Sequence, residues 1–163
     1  MSSSFQVNLE VKDHGDGQRV RHKPDGERFP SGQKTTIKFN VEHTYSFTVT
    51  FRPPKMLQYW MIKGEKMEFN RVKPKKDEDD VTIYEAQWPS TGEIVTKRGE
   101  RGYLPIELEV EHGVTLKLNL QCKYYPAKET AHCRWGQELH SMELKGDVPE
   151  GQTFVDIKSE KIF

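Results

Sequence analysis

Two cysteines are all that this 163-residue chain contains, so a disulfide-stapled scaffold is not its organising principle. It lacks an excess charge: 25 Lys and Arg balance 25 Asp and Glu. A general attraction to nucleic acid or to an anionic membrane is therefore not expected. No apolar run approaches the roughly 18 residues that a membrane span requires. The opening Met1-Ser2-Ser3-Ser4-Phe5 lacks the apolar stretch of a signal peptide, and its second residue is not the glycine that myristoylation needs. There is no C-terminal prenylation cysteine and no Asn-X-Ser/Thr acceptor. These absences together make a reducing cytoplasm the expected location. Hydrophobic residues reach only 34%, against 31% charged, which is lean for a globular domain.

What the chain does have is alternation. Val114, Leu116, Leu118, Leu120, Cys122 and Tyr124 are apolar, and Thr115, Lys117, Asn119, Gln121 and Lys123 between them are polar. A period of two sends one set to each face of a strand, with one face buried and the other wet, as in antiparallel sheets. The same pattern recurs at Phe5–Val11, Thr35–Phe39, Tyr45–Phe51 and Leu104–Val110. Turn signals separate these runs: Asp13 to Gly17, Pro24-Asp25-Gly26, Pro30-Ser31-Gly32, Lys63-Gly64-Glu65-Lys66 and Glu111-His112-Gly113. Pro53-Pro54 ends a strand because proline supplies no ladder donor. Val81 and Ile83 share one phase and Tyr84, Ala86 and Trp88 the other, which a β-bulge would reconcile. Closing strands are expected at 139–144 and 154–157. The total is about ten strands in one all-β domain over 1–163, an antiparallel sandwich or filled barrel. There is no internal repeat and no linker.

No catalytic motif emerges. His112, Cys122, His132, Cys133 and His140 lack the paired spacing of a zinc site, and His132 and Cys133 would face opposite ways on a strand. Cys133 has no nucleophile signature around it and reads as a packed or half-exposed thiol beside Trp135. Asp13 to Gly17 has neither a P-loop's Lys-Ser/Thr nor an EF-hand's ligand spacing. No metal and no cofactor are expected. Two basic loops stand out, Thr96 to Arg101 with Lys97, Arg98 and Arg101, and the run with Lys73, Lys75 and Lys76. At one end of the sheets they would form a positive rim able to steer an acidic peptide or a lipid headgroup. The simpler reading is solvated surface. Phe47, Phe51, Tyr84, Trp88 and Trp135, with Tyr59 and Trp60, would either line an apolar pocket or fill the core. The terminal Glu160-Lys161-Ile162-Phe163 suits a final strand better than a PDZ ligand.

Three runs carry a family resemblance: Lys23-Pro24-Asp25-Gly26-Glu27-Arg28-Phe29, Thr96-Lys97-Arg98-Gly99-Glu100-Arg101 and His132-Cys133-Arg134-Trp135-Gly136. In that order and spacing, over about residues 20–163, the chain resembles the cannabinoid receptor-interacting protein 1 family. The resemblance implies a non-enzymatic cytoplasmic adaptor. Such a protein binds the C-terminal tail of the type 1 cannabinoid receptor, modulates G-protein signalling and internalisation, and is recruited to the plasma membrane by its partner. It also implies a sandwich or filled barrel similar to the immunoglobulin-like domain of Rho GDP-dissociation inhibitors. By analogy with those carriers, a lipid-binding chaperone for acylated or prenylated proteins is the alternative. Lys97, Arg98 and Arg101 are the expected contacts for an acidic tail, and Trp135 is expected to plug one end of the barrel.

Overall fold

The computed structural model describes residues 3–24, 35–75 and 80–163. The turns expected at 24–26 and 30–32 and the side chain of Lys76 lie outside the described residues. Among these residues thirteen strands form two sheets, which face each other as a sandwich and do not close into a barrel. The six-stranded sheet runs β13 (Asp156–Ile162), β12 (Met142–Val148), β1 (Ser3–Asp13), β4 (Thr44–Arg52), β8 (Thr82–Pro89) and β7 (Phe69–Val72). The seven-stranded sheet runs β11 (Gln137–Glu138), β2 (Arg21–Pro24), β3 (Thr35–Asn40), β10 (Val114–Tyr125), β9 (Gly102–Val110), β5 (Leu57–Ile62) and β6 (Glu65–Lys66). All pairings are antiparallel except β3 with β10, which is parallel.

Alternation builds the interior. Phe5, Val7, Leu9 and Val11 of β1 are buried, as are Tyr45, Phe47, Val49 and Phe51 of β4. They face Leu104, Ile106, Leu108 and Val110 of β9. Phe39 of β3 joins the two layers: its ring lies 4.8 Å from Tyr45 and 5.9 Å from Trp88, edge-on to both. Edge-on aromatic pairs contribute beyond the area they bury.

Several expectations need correction. Among the described residues the strands number thirteen rather than about ten, in part because β6 and β11 are two residues long and leave no periodic trace. The hairpin after Gly64 returns only through Glu65–Lys66; the chain then crosses to the other sheet as β7. No bulge interrupts β8, whose pairing with β4 and β7 is in continuous register. Buried Thr82 takes the inner phase there, because its hydroxyl donates to the Lys55 carbonyl at 2.6 Å and accepts from the Lys55 amide at 3.0 Å. Leu139 is buried ahead of β12, and the closing strand begins at Asp156.

A bulge does occur between Lys145 and Gly146, where β12 meets β13. A Cβ on Gly146 would sit 2.5 Å from the Asp156 carbonyl oxygen and 2.9 Å from a Val155 methyl. Backbone cannot retreat as a flexible side chain can, so Gly146→Ala is expected to lower unfolding free energy by roughly 1–3 kcal/mol. Urea denaturation checks this; an unchanged midpoint would contradict the close approach.

A cationic aromatic groove as candidate functional site

The parallel pairing sets Lys38 of β3 beside Lys123 of β10, and Asn40 beside Tyr125. β2 continues the same face, since His22 turns inward opposite Ile37 and leaves Arg21 and Lys23 in the outward phase. Arg21, Lys23, Lys38 and Lys123 thus share the outer face of three adjacent strands. That face is not simply wet. All six residues of β3 are buried, and Lys38 is only 5% exposed.

The cover is the segment 126–136, and the strand's polar side chains hold it down. Asn40 Nδ2 donates to the carbonyls of Pro126 at 2.8 Å and Glu129 at 2.7 Å. Lys38 Nζ donates to the carbonyls of His132 at 3.0 Å and Trp135 at 2.6 Å. Burial, with Lys23 and Lys123 of like charge nearby, draws the Lys38 pKa below the usual lysine range. Glu129 closes the turn by accepting the amides of His132 at 2.9 Å and Cys133 at 3.3 Å, which holds its carboxyl below the ordinary value. Arg134 donates to Asp13 at 2.8 Å and Gln18 at 2.8 Å and pairs with Asp16 at 3.0 Å.

His43 adds a further clamp. Its Nδ1 lies 2.7 Å from Asp13 Oδ2 and its Nε2 lies 2.7 Å from the Ala127 carbonyl. Both neighbours accept, so both contacts are hydrogen bonds only when the ring carries both protons. Burial alone lowers the His43 pKa, but the bonds to Asp13 and Ala127 outweigh it and hold the pKa above its ordinary value.

Trp135, at the end of this clamped segment, does not plug the sandwich. It is 70% exposed, because its carbonyl is held by Lys38 while its ring stands outward, 5.4 Å from the same ammonium. A hollow opens on each side. One, of about 430 Å³, is lined by Lys23, Lys38, Val95, Thr96, Arg98, Lys123, Tyr124, Tyr125, Pro126, His132 and Trp135. The other, of about 630 Å³, is lined by Arg21, His22, Lys23, Pro24, Lys38, Arg134, Trp135, Gly136 and Gln137. Among the described residues, neither lining includes a carboxylate.

Of the residues singled out in the sequence, Arg98 reaches this groove. The Thr96 amide donates to the Tyr124 carbonyl at 3.0 Å and Thr96 Oγ1 accepts the Tyr124 amide at 2.9 Å, which seats the loop there. Lys97 sits in the exposed turn that the Glu100 amide closes onto its carbonyl at 3.0 Å. Arg101 turns back to the sheet, donating from Nε to Thr36 Oγ1 at 2.9 Å. Lys73 and Lys75 follow β7, at the edge of the other sheet, and do not line the groove. Phe47, Phe51, Tyr84 and Trp88 are packed together in the core, and Trp135 does not join them. Cys122 lies in that core and Cys133 beneath the clamped segment; burial pushes each thiol up to about 12, far from thiolate at neutral pH. No group of three His, Cys, Asp or Glu that could hold a metal ion occurs among the described residues. Lys23, Lys38, Lys123 and Arg21 were missed. Their outward phase was readable, but not that their strands are neighbours.

Fold and site together define the class: an all-β sandwich domain with a cation-lined, aromatic groove on one outer face. The chain belongs to the CB1 cannabinoid receptor-interacting protein 1 family, whose model matches residues 1–162. That match takes in the first strand, which the resemblance from about residue 20 left out. No curated protein matches the chain. No helix among the described residues is long and apolar enough to cross a membrane.

The raised His43 pKa gives the clamp a sign. Its contribution to stability is complete below the unfolded value of about 6.5 and is lost as pH rises through the folded value. The stability difference between the native chain and His43→Ala should therefore shrink as pH rises from about 6 to about 9. Urea unfolding across that range checks it, and a constant difference would contradict the doubly protonated clamp.

Proposed function

We propose that the chain is a receptor adaptor without catalytic activity. It binds the cytoplasmic C-terminal tail of a G-protein-coupled receptor, of the cannabinoid type by family, and thereby modulates signalling and internalisation. The observation that carries this reading is the family match over residues 1–162. The geometry supports it: the buried thiols offer no nucleophile, while the outer face offers a cationic surface suited to acidic side chains. Within this reading Lys97 and Arg98 are the tail contacts on the loop before β9. Arg101 braces that loop through Thr36. Recruitment to the plasma membrane follows from the receptor and needs no span of the chain's own.

The test is retention of the purified chain on an immobilised receptor tail, with a tail lacking its last residues as control. The double change Lys97→Glu and Arg98→Glu should weaken binding by about tenfold and flatten its salt dependence. Unchanged affinity and salt slope would reject these two residues as contacts. Failure to retain the native chain on any receptor tail would reject the adaptor reading itself.

A further inference from the structure

We infer that the Trp135 groove recognises an acidic peptide segment with an apolar side chain at its middle. The apolar chain packs on the indole, and acidic residues before and after it enter the two hollows. The receptor identity rests on the adaptor reading above; the ligand chemistry rests on the groove alone.

Three observations carry it. First, Trp135 is a prepared platform. Lys38 fixes its carbonyl, Arg21 Nη1 donates to the next carbonyl, that of Gly136, at 3.3 Å, and Gly136 itself has φ 113°, a conformation that other residues rarely adopt. An exposed aromatic held in place before binding is the kind of residue that anchors interfaces. Second, the described residues around it are mainly cationic. Asp13 and Asp16 are engaged on Arg134 and Glu129 on two amides, and Glu138 stands at the sheet edge opposite Arg21. Lys23, Lys38 and Arg98 line the hollows with no carboxylate among the described lining residues. Third, the surface is concave on both sides of the indole, with hollows of about 430 and 630 Å³. An extended chain can place side chains into both, whereas a flat lipid surface leaves them unfilled. Val95 adds an apolar wall to the first hollow.

The chain contains three tryptophans, and Trp60 and Trp88 are buried, so a change in emission reports on Trp135. The probes are an acidic peptide with one central leucine, the same peptide with serine for leucine, the same peptide with amides for its carboxylates, and phosphatidylcholine vesicles with and without phosphatidylserine. The leucine peptide should shift the emission to the blue and shield it from acrylamide. The serine and amide peptides should each bind about tenfold more weakly, and Trp135→Ala should lose about thirtyfold for the leucine peptide by calorimetry. Trp135 is exposed, so this variant should keep the native unfolding midpoint. Equal affinity for the three peptides, or a shift on phosphatidylserine vesicles with none on the peptide, overturns the inference. If the receptor tail binds Trp135→Ala undiminished, the groove is not its site and the adaptor reading survives. If the leucine peptide binds and no receptor tail does, the groove stands and the adaptor reading falls.

Discussion

The parallel contact between β3 and β10 is the constraint on which the rest depends. It joins segments more than eighty residues apart, Ile37–Asn40 with Cys122–Tyr125. On its inner side it sets Ile37 and Phe39 against Cys122 and Tyr124, and Phe39 carries the ring contacts across to the other sheet. On its outer side it sets two lysines side by side. That juxtaposition would be unfavourable if both ammonium groups had to be dried without partners. The carbonyls of His132 and Trp135 resolve it for Lys38. The fold thus commits the segment 126–136 to lie where it does.

From that commitment the exposed Trp135 groove follows. A segment anchored by Asn40, Lys38, His43 and Arg134 has little freedom left, and Trp135 stands at its end facing water. Leaving a large aromatic out of the core offers no folding gain, and it is conspicuous in a chain with only 34% hydrophobic residues. The neutral net charge is equally instructive. A balanced total does not prevent one face from being cationic, provided the acidic groups are tied down elsewhere, as Asp13, Asp16 and Glu129 are. The cationic character is a local property of three strands and two loops.

Much of the fold was legible because burial in a half-wet sheet writes a period of two. Phe5 to Val11, Tyr45 to Phe51 and Leu104 to Val110 have the alternation and the burial that the residues predict. The errors arise where another force outweighs hydrophobicity. Thr82 is buried through its bonds to Lys55, so a polar residue continues the inner phase of Tyr84, Ala86 and Trp88, where the apolar pattern shifted to Val81 and Ile83. Lys38 was read in the correct phase, yet its face is covered by a segment ninety-odd residues later in the chain. Trp135 lies two residues from a buried cysteine and reads locally as core, but with its carbonyl held by Lys38 and the next by Arg21 its ring stands outward. Arg98 was found because its loop is visibly basic. Arg21, Lys23 and Lys123 were not, because single outward lysines on separate strands look alike until strand order is known.

Hydrogen exchange in the variant Lys38→Met tests this account most directly, since the change keeps the length of the side chain and removes the donor. The account predicts that amides in 132–136 exchange markedly faster while those of β1 and β4 are unaltered, because the carbonyls of His132 and Trp135 lose the ammonium and the clamp opens locally. Unchanged protection at 132–136 would contradict it, for the end of the segment bearing Trp135 would then be held by Asn40, His43 and Arg134 without the buried ammonium.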